Sequence, residues 1–238
     1  MIVVRRKPLE DILTFVADCR QVLLLGCGTC SAVCFAGGER ETEEVACLLP
    51  LLAEEKGLEI EVRAATCERV CDWEFVEPVM STDDTPDAVV SFSCGSGVNL
   101  LAEHLDTIPV FPGTDTLFIG ATMEHGVWNE MCLGCGDCIL DRTFGICPVA
   151  RCSKGILNGP CGGSKEGKCE IGNEIDCAWV KIVERAQALG RLDDLGRYIP
   201  PKDWSSSHAG GARRLVREDL RIVEHEEPGE STAVGEQA

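Results

Sequence analysis

The sequence has no long uninterrupted apolar run and is short of basic residues. Of its 238 residues, 40 are Asp or Glu and only 22 are Lys or Arg, so the formal net charge is −18 at pH 7. No stretch approaches the roughly 20 apolar residues of a membrane-spanning helix. Because nucleic acids and anionic membranes attract proteins through Lys and Arg, we expect neither of them as a partner.

The start of the chain also lacks the order of a secretory signal. Residues 1–4 form a very short apolar run and the charges follow it, whereas a signal places the charges first and a longer apolar core after them. We therefore expect a cytoplasmic, reducing location, where disulfides are disfavoured. The sixteen cysteines are then candidates for metal ligation before they are candidates for disulfides.

Common catalytic motifs are absent as well. The sequence has no Gly-x-Ser-x-Gly nucleophile motif, no Walker lysine, and no Gly-x-Gly-x-x-Gly after its first predicted strand. The four histidines are isolated, and none belongs to a ligand or triad pattern. As a lone chain, the sequence shows no convincing substrate site.

Short apolar strands alternate with helices over the first half of the chain. The pattern predicts strands at residues 22–25, 58–64, 88–92 and 117–121, with a helix at 39–56 and another that begins near residue 100. Pro50 inside the first of these helices should kink or split it. Such alternation predicts the α/β class with a Rossmann-like parallel sheet and right-handed crossovers.

The character of the sequence changes near Trp128. The following residues are rich in Gly and Cys and poor in periodic apolar pattern, so bound metal should supply stability that packing cannot. A helix at 176–189, capped by Asp176, should close this irregular metal-binding part. The predicted organisation is an α/β domain at 1–125, a cysteine-rich domain at 126–204 and a disordered tail at 205–238.

Six cysteines follow the ends of the first three predicted strands: Cys27, Cys30, Cys34, Cys67, Cys71 and Cys94. Ligands of open α/β sheets bind at the carboxyl ends of the strands, and a [4Fe–4S] cluster needs four thiolates. The preferred set is Cys27, Cys30, Cys71 and Cys94, with Cys34 as a close competitor. We expect Cys19 and Cys47 to be small buried core residues.

A second block of eight cysteines lies further along the chain. Cys132, Cys135 and Cys138 have the spacing of the first three ligands of a bacterial ferredoxin motif, and Cys147, which Pro148 follows, offers a fourth thiolate. The remaining four could form a second tetrathiolate site: Cys152, Cys161, Cys169 and Cys177. This site could hold a cluster or a structural zinc ion, and the sequence leaves the partition of the eight thiolates open.

The residues that carry the second block resemble a known family. They lie at 132–140, 145–152, 158–164, 167–170, 177–185 and 189–192, and the Asn-Gly-Pro-Cys-Gly-Gly run at 158–163 is quite specific. These segments are similar to the cysteine-rich C-terminal domain family of methylenetetrahydrofolate reductase, which forms the small V-type subunit of two-subunit reductases in acetogens and related anaerobes. Residues 26–30 and 94–97 also resemble the front half of that subunit, so the resemblance covers roughly residues 20–195.

The resemblance implies an iron–sulfur accessory subunit with one to three [4Fe–4S] clusters. Its catalytic partner would be a flavin-bearing TIM barrel that reduces methylenetetrahydrofolate to methyltetrahydrofolate, and further electron-transfer subunits would join the complex. The family pattern suits Val at position 67, so Cys67 is not expected to be a ligand. The alternative is a zinc-stabilised structural or docking module without electron transfer. A corrinoid or thiol-redox enzyme is a third hypothesis, but its cofactor motif is missing.

Overall fold

The structure, a computed structural model, describes residues 1–82 and 84–221. The chain begins with strand β1 (Ile2–Arg6) and helix α1 (Leu9–Val16) and then enters a sheet of four strands: β2 (Gln21–Cys27), β3 (Glu61–Cys67), β4 (Ala88–Phe92) and β5 (Val110–Pro112). All pairings in this sheet are parallel, and the strand order is β3-β2-β4-β5. The predicted α/β class with a Rossmann-like parallel sheet is confirmed.

Helices cover both faces of the parallel sheet. They are α1, α3 (Glu39–Glu55), α4 (Trp73–Met80) and α5 (Gly95–His104), while the short helix α2 (Cys30–Val33) lies in the loop that follows β2. Leu24 of β2 packs with α1 and α3 on one face, while Leu23 packs with α4 and α5 on the other. Because both faces are covered, β4 is buried along its whole length, as is typical of parallel strands with continuous apolar sequences.

Helix α3 matches the helix predicted at 39–56 closely. The N–H of Gly38 donates to the carboxylate of Glu41 at 3.0 Å, which satisfies one donor at the helix start. Pro50 lies inside the helix, which continues past it as one element. The helix ends before Gly57, whose φ of +74° is the left-handed conformation that glycine adopts most readily.

The strand predicted at 117–121 belongs to a different sheet. It lies within β6 (Thr114–Glu124), which pairs antiparallel with β1 and with β7 (Val127–Cys132), so the parallel sheet takes β5 as its fourth strand instead. The physical reason is the amino-terminal strand β1, which the sequence reasoning did not identify. It pairs with β6, and its Val3 and Val4 are buried together with Cys34 and Ala36. The β6–β7 hairpin crosses residue 125, where the sequence placed a domain boundary.

After β7, the cysteine-rich part contains five elements: α6 (Pro148–Arg151), β8 (Lys168–Cys169), β9 (Gly172–Asp176), α7 (Ala178–Ala188) and a 3₁₀ helix (Leu192–Gly196). The predicted closing helix is present as α7, but Asp176 does not cap it. Asp176 ends β9, and its carboxylate pairs with Lys168 at 2.7 Å and Lys181 at 2.5 Å, while Cys177 occupies the capping position. Competition from two nearby ammonium groups explains the difference.

The rest of the described chain is irregular. Residues 222–238 of the predicted disordered tail lie outside the described residues, whereas residues 205–221 are described and include two 3₁₀ turns, His208–Gly210 and Glu218–Leu220. Over the ranges 1–82 and 84–221, none of the helices combines the length and the apolar character that crossing a membrane requires.

Asp87 connects the starts of β2 and β4, and it provides a pH-dependent test of the fold. Its carboxylate accepts hydrogen bonds from the N–H groups of Gln21 (2.9 Å) and Arg20 (2.8 Å), and these bonds lower its pKa. A lowered folded-state pKa gives stability that is present above the unfolded-state pKa and is lost as pH falls through the folded-state pKa. We expect Asp87→Asn to reduce stability at neutral pH, and the difference from the wild type to shrink on acidification.

Urea unfolding over a pH series measures this effect. Asp106→Asn is the matched control, because the carboxylate of Asp106 makes no hydrogen bond or ion pair within the described ranges. A loss that is equally large for both variants, or independent of pH, would contradict the role of Asp87.

Candidate metal centres

The register of the parallel sheet brings the first group of cysteines to one edge. Cys27 ends β2 and pairs with Cys67 at the end of β3, while Gly26 pairs with Phe92 at the end of β4. Cys94 follows β4 directly and caps α5. The chain runs from β2 outward to β3 and then returns to β4 on the other side of β2. Open α/β sheets bind their ligands at such a switch point.

Cys71 lies within electrostatic range of the other three thiols of the preferred set. Cys71 is exposed, yet its pKa is raised. The largest cause is partial desolvation, and the nearby thiol groups of Cys94, Cys27 and Cys30 add to it. These three are the other members of the predicted set. Four thiols that would repel one another as bare anions are suited to a shared cationic centre, which would stabilise the thiolate form.

Two other cysteines at this edge are buried, as Cys27 of the preferred set is. Cys34 packs with Val3 and Ala36, and its Sγ lies 3.8 Å from the carbonyl oxygen of Ile2. Burial raises its pKa. Its role as a ligand stays a prediction.

Cys67 lies directly opposite Cys27, a member of the preferred set. Burial, followed by the neighbouring Cys27, raises the pKa of Cys67 to about 11. Its Sγ lies 3.9 Å from the carbonyl oxygen of Gly26. Its position opposite Cys27 follows from strand register, which can be found only after β2 and β3 are paired correctly.

The loop between β2 and α3 is held by backbone contacts and by a glycine. The N–H of Cys27 donates to the carbonyl of Gly37 at 2.8 Å, and the N–H of Gly28 donates to the carbonyl of Cys67 at 2.9 Å. A Cβ on Gly37 would lie 2.6 Å from the Cβ of Phe92, so only glycine allows this close approach to β4. The backbone thus fixes where Cys27 and Cys30 sit.

The second group begins with a tight turn at the end of β7. Gly134 and Gly136 have φ values of +59° and +86°, which let the chain reverse between the three closely spaced cysteines. The N–H of Gly134 donates to Sγ of Cys132 at 3.3 Å. Helix α6, which Cys147 caps, packs against β7. Cys147 therefore lies on an element that contacts the strand from which this turn starts.

Lys154 connects the region of Cys152 to two other cysteines. Its ammonium lies 3.6 Å from Sγ of Cys161 and pairs with the carboxylate of Glu170, the residue after Cys169. The N–H of Gly163 donates to Sγ of Cys161 at 3.4 Å and, together with Lys154, lowers the pKa of that thiol. Lowered thiol pKa values favour the thiolate that binds metals. The sequence reasoning missed Lys154, since a lysine near a cysteine is not a distinctive signal.

Cys152 and Cys177 meet on the small apolar cluster of the cysteine-rich part. Both pack against a buried group centred on Phe144 and Trp179. The N–H of Cys177 also donates to the carbonyl of Gly167 at 2.8 Å, just before Cys169 on β8. Together with the contacts of Lys154, this arrangement favours the grouping of Cys152, Cys161, Cys169 and Cys177.

The cysteine thiols are the type of ligand that iron and zinc prefer, but in this structure they are not arranged with the geometry of a metal site. All sixteen cysteines lie in the described residues and are free thiols. Within residues 1–82 and 84–221, no three Cys, His, Asp or Glu side chains are arranged closely enough to hold a metal ion as they stand. The metal centres and their ligand sets stay predictions.

Two cysteines were assigned to the core from the sequence. Cys19 packs against the apolar cluster beneath α1 and α3, but Cys47 is exposed on α3, so the expectation for Cys47 was wrong. The apolar run of α3 extends beyond the one face that packs on the sheet, and Cys47 lies outside that face. Because Cys47 is exposed and lies on α3, outside both predicted ligand groups, its substitution is a useful control for the cysteine variants.

The fold and the two groups of cysteines define a cysteine-rich α/β protein. Residues 111–205 match the family described as methylene-tetrahydrofolate reductase C terminal. The match covers less than half of the chain, and over these residues it confirms the resemblance expected from the cysteine-rich segments. Among the curated proteins and among the solved structures, no match to the chain is found.

The close approach at Gly37 can be tested by substitution. Gly37→Ala should lower stability by about 1–3 kcal/mol, because the added methyl group pushes the loop that carries Cys30 away from β4. Chemical unfolding gives the change. The matched control is Gly196→Ala, where an added Cβ meets nothing within 4 Å and φ is not positive. Equal stability of the two variants would contradict the proposed packing of the loop.

Proposed function

We propose that the chain is the iron–sulfur electron-transfer accessory subunit of a cytoplasmic methylenetetrahydrofolate reductase complex. It passes electrons to a flavin-bearing catalytic partner and carries no substrate chemistry of its own. The observation that carries the proposal is the grouping of Cys71 with Cys27, Cys30 and Cys94 at the carboxyl edge of the parallel sheet. The family match of residues 111–205 gives the proposal its biological setting.

The first site would hold one [4Fe–4S] cluster. When bound, such a cluster supplies one-electron transfer at a potential set by its hydrogen bonds, net charge and exposure. Cys27, Cys30, Cys71 and Cys94 supply the four thiolates that a cluster needs. The buried strand ends keep water away from the inner side of the site, whereas the exposed side of Cys71 faces outward. A partner can approach from that side.

The cysteine-rich part would hold up to two further centres. The tight turn supplies Cys132, Cys135 and Cys138, and Cys147 is the fourth ligand. The other centre takes the four cysteines that Lys154, the β8 strand and the apolar cluster bring together: Cys152, Cys161, Cys169 and Cys177. The N–H groups of Gly134 and Gly163 donate to sulfur, and such bonds tune the potential of a bound cluster.

The catalytic role falls to a partner, since the described residues form a four-stranded parallel sheet and not an eight-stranded barrel. The flavin-containing reductase subunit is the expected electron acceptor. Further electron-transfer subunits would supply the electrons. The net charge of −18 suits a partner surface with basic residues and disfavours nucleic acid.

Zinc is the alternative occupant of the cysteine-rich part. This part has only a small apolar cluster and short elements, which is where structural zinc commonly provides folding free energy. In that case the chain would be a structural or docking module of a redox complex, without electron transfer.

Iron and acid-labile sulfide analysis of anaerobically purified protein, with EPR after reduction, tests the proposal. Cys94→Ser should lower the iron content by about four atoms per chain, because one thiolate of the first cluster is lost. Cys47→Ser, a change to an exposed cysteine away from the strand ends, should leave iron and sulfide unchanged.

Two results would count against the proposal. Equal iron content in Cys94→Ser and the wild type would show that Cys94 is not a cluster ligand, which contradicts the first site. A colourless wild-type protein with zinc but no labile sulfide would contradict electron transfer and support the zinc-stabilised module.

A further inference from the structure

The chain after Pro201 crosses the turn that carries Cys132, Cys135 and Cys138. Lys202 is the most deeply enclosed part of this crossing, since its side chain is only 2% exposed. Its ammonium donates to the carbonyl oxygen of Asp137 and lies 3.5 Å from the Asp137 carboxylate. Burying an ammonium group costs free energy unless it is paired and hydrogen-bonded, so its place beside the cysteine turn needs a reason.

Three further contacts hold the same turn. The N–H of Asp203 donates to the carboxylate of Asp137 at 3.3 Å, and the hydroxyl of Ser206 donates to the carbonyl of Cys135 at 3.4 Å. The guanidinium of Arg213 donates to the carbonyl of Gly134 at 2.7 Å. All of these contacts use carbonyl or carboxylate oxygens and none uses a thiol.

The turn and the crossing segment approach each other as closely as their backbones allow. A Cβ on Gly136 would lie 2.6 Å from the hydroxyl oxygen and 2.8 Å from the Cβ of Ser206. Because Gly136 also has a positive φ, both its conformation and this contact require glycine. The packing is therefore specific to this turn rather than a loose surface contact.

We propose that residues 202–213, here called the strap, position the 132–138 turn for metal binding, with Lys202 and Arg213 as its positioning residues. The strap binds oxygens of the turn, and none of its hydrogen bonds uses a thiol, so the thiols stay available to a metal centre. The Cys135 thiol lies 3.8 Å from the carbonyl oxygen of Asp137, which Lys202 also binds, and the N–H of Gly134 donates to Sγ of Cys132. Groups that orient metal ligands from outside the ligand shell commonly change metal affinity strongly.

The charges of the strap support the same role. Three thiolates on one turn repel one another, and the chain as a whole carries a net charge of −18. Lys202 and Arg213 place two positive charges on the backbone oxygens of this turn and so reduce the local excess of negative charge. This inference rests on the proposed function, because it assumes that the turn binds metal.

The test compares Lys202→Met and Arg213→Ala with Arg214→Ala in the full chain. Arg214 is the matched control, since it is exposed, adjacent in sequence, and makes no hydrogen bond or ion pair in the part of the chain that the structure describes. We expect metal release from the 132–138 turn to a chelator to become about tenfold faster in the first two variants. Arg213→Lys, which keeps a cationic donor, should restore slow release.

Backbone hydrogen exchange of residues 133–138, measured by mass spectrometry on protein stripped of metal, gives a second readout. Exchange there should rise in Lys202→Met and Arg213→Ala and stay at the wild-type level in Arg214→Ala. Because Arg213 is exposed, its variant should fold even where Lys202→Met does not, and circular dichroism checks this.

The outcomes separate the two proposals. If the wild-type turn binds metal but neither release nor exchange changes in the variants, the strap has no positioning role and the proposed function stands. If the wild-type chain binds no metal, the proposed function fails and exchange alone decides whether the strap holds the turn. In either case, hydrogen exchange that is unchanged in the variants would contradict the positioning role of the strap.

Discussion

The parallel pairing of β2 with β3 and β4 is the constraint on which the rest of the structure depends. It aligns three strand ends, so that Cys27 and Cys67 lie side by side and Cys94 follows at the next strand. Cysteines that are far apart in sequence thereby share one edge, and Cys71 comes within electrostatic range of three other thiols. A shift of register by one residue would turn these side chains to opposite faces of the sheet.

The cysteine-rich part is held together differently. Its apolar cluster is small, and several of its connections are single polar contacts, such as the indole N–H of Trp179 to the carbonyl of Ile156 at 2.8 Å and Arg185 to the carbonyl of Phe144 at 2.7 Å. Contacts of this kind contribute little net free energy each. Thiolate ligation would supply the remaining stability of this part. The strap would fix the 132–138 turn, which carries the ligands of one of its metal centres.

The sequence predicted the parts of the fold that depend on local pattern. The bounds of β4 and the extent of α3 follow from a continuous apolar run and from a helix that stops at Gly57. It could not predict that residues 117–121 join β1 in a second sheet, because strand partners are chosen by tertiary packing. Asp176 failed as a cap since Lys168 and Lys181, on other elements, compete for its carboxylate. The cysteine spacing located both candidate sites, but Lys154 and Lys202 act through contacts visible only in the folded chain.

Anomalous X-ray diffraction at the iron and zinc absorption edges, on crystals grown without oxygen, tests the central claim most directly. The account predicts iron at the carboxyl edge of the parallel sheet, among Cys27, Cys30, Cys71 and Cys94, and metal next to the 132–138 turn. An edge without iron in well-diffracting crystals, with these four thiols unligated, would contradict the account.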